Sequence, residues 1–111
     1  MIPNATLEKL HQSLSGTVLF DELHKTIYAT DASVYRKIPM AVAFPKDEKD
    51  LKTLIDFATE YQITLIPRTA GTSLAGQCVG DGIVVDVAKH FTSILEFDQL
   101  AKTSTVQPGI V

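Results

Sequence analysis

Three short apolar runs restrict what this chain can fold into more than any other feature. Ala41-Val42-Ala43-Phe44 is closed by Pro45, Leu65-Ile66 is closed by Pro67, and Ile83-Val84-Val85-Asp86-Val87 is rich in β-branched residues. Each is too short for a stable helix and reads as a buried strand. Between the first two lies the clearest helix in the sequence. Asp47 stands at its N-cap, Glu48 and Asp50 carry negative charge into the first turn, and Leu51, Leu54, Ile55, Ala58 and Tyr61 trace one face. The helix dipole accounts for these acidic residues without a catalytic role. Strand, helix, strand, loop, strand is the order of a right-handed parallel crossover. The expected fold class is therefore α+β, with a small parallel three-stranded sheet and flanking helices.

The 111 residues are enough for one core and too few for two. With 45% hydrophobic and 21% charged residues the chain falls in the ordinary globular range. A formal charge of −3, without a long basic run, points away from nucleic acid and anionic membrane surfaces. No stretch approaches the roughly 20 apolar residues of a membrane span, and MIPNATLEKL lacks the basic lead and apolar core of a leader. The lone Cys78 cannot form an intrachain disulfide, so a cytoplasmic setting is expected, and the thiol reads as a small packed hydrophobe. His11, His24 and His90 stand at no metal-ligand spacing, so no metal site is expected.

Residues 1–37 read as a helix-rich arm and 38–111 as the domain proper. In the arm, Asn4 is placed to cap a helix bearing Leu7, Leu10 and Leu14, with Gly16 as its stop signal. At the other end, Ile94 to Asp98 and Thr103 to Gln107 alternate as two strands joined by residues 99–102. They pair as a hairpin or belong to a second sheet.

The segment PRTAGTSLAGQCVGDG, Pro67 to Gly82, carries four of the six glycines. Glycine allows successive backbone N–H groups to point into one concavity, an arrangement that suits phosphate. Thr69, Thr72 and Ser73 add hydroxyls and Arg68 adds charge. Two standard nucleotide motifs fail. Gly71 to Gly76 has P-loop spacing, but Gln77 and Cys78 replace the required Lys and Ser or Thr. Gly80-Asp81-Gly82 runs directly into a strand with no third glycine. Nor does a G-x-S-x-G elbow frame Ser73 as a nucleophile. What remains is a loop between parallel strands whose amides are able to grip a diphosphate.

Here the residues resemble a known family. Pro67-Arg68-Thr69-Ala70-Gly71-Thr72-Ser73-Leu74-Ala75-Gly76-Gln77 is similar to the pyrophosphate loop of FAD-binding domains of the vanillyl-alcohol oxidase and p-cresol methylhydroxylase (PCMH) type. In the glycolate oxidase and D-lactate dehydrogenase branch that loop is usually P-R-G-[AG]-G-T-[SG]. Ala41 to Pro45 resembles the opening strand, and Val106-Gln107-Pro108-Gly109 the V-x-P-G segment. The stretch from Tyr28 through Asp31 and Ser33 to Tyr35-Arg36 resembles the Y-x-T-D-A-S-x-Y-R lead of large FAD enzymes in that branch.

The resemblance implies the first subdomain of a PCMH-type FAD-binding domain, followed by the start of a second sheet. The chain would be an N-terminal fragment, inactive alone, of a flavin-dependent dehydrogenase that oxidises a 2-hydroxy acid such as D-lactate or glycolate by passing hydride to the flavin. Its partners would be that small-molecule substrate and the remaining FAD and substrate domains of the same chain. Several such enzymes carry a C-terminal iron–sulfur domain, and the parent would be cytoplasmic or peripheral to a membrane. The implied cofactor contacts are Arg68, Thr69, Ala70, Gly71, Thr72, Ser73, Leu74, Gln77, Pro108 and Gly109. No catalytic residue falls within the fragment. Thr72 stands where relatives with loop-attached flavin carry His, which implies non-covalent FAD. Thr69 replaces a usual glycine, so flavin affinity should suffer if that position needs positive φ. Tyr28, Tyr35 and Arg36 are expected to pack the arm against further domains. The alternatives are a free-standing nucleotide or anion-binding module and a non-enzymatic domain that docks a partner.

Overall fold

In the computed structural model, which describes residues 1–111, the chain runs α1 (Asn4–Ser13), β1 (Thr17–Leu19), α2 (Glu22–Ile27), β2 (Ala41–Phe44), α3 (Glu48–Tyr61), β3 (Leu65–Arg68), β4 (Ile83–Asp86), β5 (Ile94–Asp98) and β6 (Thr103–Val106). The three apolar runs do form neighbouring parallel strands, with β4 between β2 and β3. A fourth strand joins them, because β1, in the arm expected to be helix-rich, pairs antiparallel with β2. The sheet is mixed, in the order β1-β2-β4-β3.

Strand alternation divides the core. Ala41, Ala43, Ile83 and Val85 form one cluster with Leu7, Leu10 and Leu14 of α1 and Leu54 of α3. Burying a leucine fully stabilises the fold by about 1.5–3 kcal/mol, so α1 is a core element. Val42 and Val84, equally buried, project from the opposite face. Pro67 fits β3 because that strand is an edge, where a missing N–H breaks no ladder. Leu65 and Ile66 are therefore followed by two further strand residues.

Asp47 caps α3 as its position predicts, accepting the Asp50 N–H at 2.9 Å. Asp50 itself is only 2% exposed, and its carboxylate accepts the N–H groups of Ser15, Gly16 and Lys46 at 2.8–2.9 Å. It fastens the α1–β1 turn to the start of α3, which the helix dipole alone does not explain. Other expectations shift. The N-cap of α1 is Pro3, not Asn4, and α1 ends before Gly16. Gly16 is required instead by close approach, since a Cβ there would lie 1.9 Å from the Phe44 carbonyl oxygen. Leu51, Leu54 and Ala58 face the core as expected, but Ile55 and Tyr61 are exposed and Phe57 packs on the core instead.

Helix α3 ends at Gln62, whose φ of 52° is left-handed. Glycine adopts that conformation without the Cβ clash. Gln62→Gly is expected to raise the unfolding free energy by about 0.5–1 kcal/mol, read as a higher urea midpoint at unchanged slope. An unchanged midpoint would show that the helix end tolerates Gln at no penalty.

Strands β5 and β6 form a separate antiparallel hairpin with a register shift between Ile94 and Glu96. Its turn is held by Asp98, whose Oδ1 accepts the Leu100 and Ala101 N–H groups at 2.9 Å. Every residue of both strands is exposed, Ile94, Leu95 and Phe97 included.

Candidate functional site: a glycine loop with open amides

The connection from β3 to β4, residues 69–82, leaves the carboxyl end of the sheet, where ligands collect in parallel α/β architectures. Arg68 ends β3 opposite Asp86, and the Val87 N–H donates to the Arg68 carbonyl at 3.0 Å. The Arg68 side chain lies with its guanidinium 5.0 Å from the centroid of the Tyr28 ring, and Nη1 donates to the Thr30 carbonyl at 2.6 Å. Tyr28 is held in turn by Asp86, an 8% exposed carboxylate that accepts the phenol at 2.5 Å and the Ala88 N–H at 2.9 Å. Burial, and then the bond to Asp86, pushes the Tyr28 phenol well above its usual value. At neutral pH it is a fixed hydrogen-bond donor, and Asp86 holds it while closing the turn after β4.

Two glycines shape the loop. Gly71 has φ +69°, and a Cβ on it would lie 2.5 Å from Nη2 of Arg68. Gly76 has φ +77°, and its Cβ would lie 2.8 Å from the ring of Tyr35. Thr69 is not at positive φ, a conformation confined among non-glycine residues to Gln62 and Lys102. The strain expected of a threonine at this site is therefore absent.

No backbone N–H from Thr69 to Leu74 donates to an acceptor within the chain. Six consecutive donors thus have no partner within the chain. The hydroxyl of Ser73 is not free in the same way, because its Oγ donates to Oδ2 of Asp31 at 2.8 Å and lies 3.1 Å from Sγ of Cys78. Cys78 is accordingly half-buried against a polar neighbour. The other carboxylate oxygen of Asp31 accepts the Ser33 N–H at 2.8 Å. Hydrogen bonding from Ser33, opposed by desolvation and reinforced by Ser73 and Cys78, holds the Asp31 carboxyl down at about 2.

Of the residues singled out in the sequence, Arg68 through Leu74 thus form one continuous open strip. Gln77 turns its amide oxygen onto the Ala75 N–H at 3.1 Å. Gly109 donates to the Phe91 carbonyl at 2.7 Å and approaches the Val87 carbonyl too closely for a Cβ, which brings Pro108-Gly109 to the same end of the sheet. Sequence reasoning missed the support beneath the loop. Tyr28 turns inward onto Arg68 and Asp86, and Tyr35 packs on Gly76, so the arm braces this site as well as any further domain. The dense string from Tyr28 to Arg36 was the signal for it.

None of the three principal cavities is lined by a residue between Arg68 and Gly80; the groove between α1 and α3, of about 300 Å³, is lined by Thr6, Leu10 and Phe57 among others. The loop is an open shelf. No three His, Cys, Asp or Glu side chains gather at a metal-binding distance, and no helix is long and apolar enough to cross a membrane.

Residues 39–111 match the sequence model of a family described as "FAD binding domain". The chain is 38% identical, over 95% of its length, to a D-2-hydroxyglutarate dehydrogenase of Pseudomonas putida, and 34% identical, over its full length, to the glycolate oxidase subunit GlcD of Bacillus subtilis. It spans 11% and 24% of those two relatives. Among solved structures, an alkyldihydroxyacetonephosphate synthase superposes with a TM-score of 0.82 at 16% identity, covering 99% of this chain and 23% of that one. A p-cresol methylhydroxylase superposes with a TM-score of 0.74 at 16% identity, over 96% and 22%.

Proposed function

The chain belongs to the family of FAD-binding domains, and from that premise we propose that Arg68 through Leu74 hold the diphosphate of a non-covalently bound FAD, with Gln77, Pro108 and Gly109 bordering it. The observation that carries this reading is the row of unpaired N–H groups from Thr69 to Leu74, beside an arginine that Tyr28 and Thr30 keep in place. The residues fit the group. Gly71 leaves room for Arg68 against the loop, Thr69 is unstrained, and the phosphates would replace water as acceptors of the open amides. Flavin, when bound, supplies two-electron redox chemistry; this chain's part is to bind the cofactor.

The parent protein in this proposal is a flavin-dependent dehydrogenase acting on a 2-hydroxy acid such as D-lactate or glycolate. Support comes from the two relatives, both named for acids of that class. The open shelf and the uncovered β5–β6 hairpin fit a cofactor enclosed from its other side by further domains of the same chain. An iron–sulfur cluster in the parent would be carried by residues beyond these. The proposed setting is the cytoplasm, with peripheral membrane attachment as a variant, on the ground of the unpaired thiol of Cys78.

The test is the purified full-length protein, expected to be yellow. Arg68→Ala removes a charge-assisted contact worth about 1.5–3 kcal/mol, so FAD affinity should fall about 10- to 100-fold in a flavin titration of the apoprotein. A wild-type protein that takes up no FAD would overturn the proposal. The isolated chain, gripping the cofactor from one side only, should bind it weakly.

A further inference from the structure

We infer that Asp31 is the positioning residue of the glycine loop: by bonding Ser73 and Cys78 it clasps the N-terminal arm to the loop and keeps the amides of Thr69 to Leu74 turned outward. This rests on the reading of those amides as the diphosphate grip.

The loop has little else to hold it. Between the ends of β3 and β4, its own internal ties are the Val79 N–H on the Gly76 carbonyl, the Gln77 amide oxygen on the Ala75 N–H and the Ser73 hydroxyl against Sγ of Cys78. Apart from the Met40 N–H on the Gly82 carbonyl and the Lys37–Asp81 ion pair next to β4, its remaining hydrogen bonds run to the segment Thr30–Asp31–Ala32. Arg68 donates to the Thr30 carbonyl, Ala32 N–H donates to the Gly71 carbonyl at 3.1 Å, and Asp31 Oδ2 accepts from Ser73 Oγ at 2.8 Å and from the Cys78 N–H at 3.4 Å. Asp31 is aimed by its own short turn, in which Oδ1 accepts the Ser33 N–H. Turning the Gly71 carbonyl onto Ala32 fixes the peptide plane at the centre of the loop, and with it the direction of the neighbouring N–H.

A carboxylate suits this position because three donors converge on it and it offers only acceptors. Asparagine would keep the bond to Ser33 N–H but set its amide hydrogens against the Cys78 N–H. Charge makes the proposal sharply testable. A negative group beside a diphosphate is repulsive, so electrostatics alone predicts that removing Asp31 tightens FAD binding. The clasp predicts the reverse.

The experiment uses the full-length protein, stripped of flavin, as wild type, Asp31→Ala and Asp31→Asn, with FAD and ADP titrations and amide hydrogen exchange. The expected result is at least about a tenfold loss of affinity for both ligands in Asp31→Ala, a smaller loss in Asp31→Asn, and faster exchange at the Ala32 amide without ligand. Ala32 is informative because its hydrogen bond does not involve Asp31. Should Asp31→Ala fail to fold, the isosteric Asp31→Asn carries the same test. Unchanged or tighter binding with Ala32 still protected overturns the clasp while leaving the flavin reading intact. A wild-type protein that binds neither FAD nor ADP overturns that reading, and the clasp's purpose with it.

Discussion

Asp50→Ala is expected to lower the unfolding free energy by about 3–5 kcal/mol, a large part of what a domain of this size has. The carboxylate is the shared acceptor for the N–H groups of Ser15, Gly16 and Lys46, and Gly16 is itself buried. Alanine leaves these donors facing a small apolar gap. Water reaches Ser15, but Gly16 is wedged against the Phe44 carbonyl and cannot turn to find another acceptor. Burial alone would raise the Asp50 pKa, yet bonds from Lys46, Ser15 and Gly16 outweigh it and hold it below its usual value of 3.8. A folded-state pKa below the unfolded one means that this stabilisation is fully present above about pH 4 and is lost as pH falls through the folded value. Urea unfolding at pH 7 should therefore separate wild type from Asp50→Ala widely, and the gap should narrow in acid. A difference under about 1 kcal/mol at pH 7 would mean that the three donors find other partners.

Gly71→Val is expected to abolish flavin binding while sparing the fold. A β-branched residue at φ +69° is strained by at least about 1–2 kcal/mol, and its Cβ would collide with the Arg68 guanidinium. The loop relieves both by leaving its left-handed turn. That rotates the Gly71 carbonyl away from Ala32 and displaces Arg68 from the Tyr28 ring. Loss of the cation and misdirection of several amides together should weaken FAD at least about 100-fold, equivalent to some 2.7 kcal/mol. The core cluster contains no loop residue, so circular dichroism and the urea midpoint should change little. Full flavin content in Gly71→Val would show that this turn does not shape the diphosphate site.

The parallel strands, helix α3 with its Asp47 cap, and the open loop could be read directly, because short apolar runs, cap chemistry and glycine spacing are local signals. β1 could not. Thr17-Val18-Leu19 is three residues long, and its strand identity comes from pairing with Phe44, Ala43 and Val42, far along the chain. Asp50 was misread for the same reason: its position in the first helical turn is local, whereas its partners Ser15 and Gly16 lie 35 and 34 residues away. At the site, Arg68 and Gly71 announced themselves by type and spacing. Tyr28 and Asp31, separated from Asp86, Ser73 and Cys78 by 42 to 58 residues, had only the motif around them to mark them.

The strand order β1-β2-β4-β3 also governs how the molecule assembles. Because β2 and β3 touch only through β4, a nascent polypeptide leaving the ribosome can pair β1 with β2 but cannot join β3 to them until residues 83–86 emerge. The glycine-rich segment is the last tether spooled out before that event, and its flexibility sets how readily the final strand finds its slot. Any substitution that stiffens it for tighter cofactor capture would therefore also alter the folding rate.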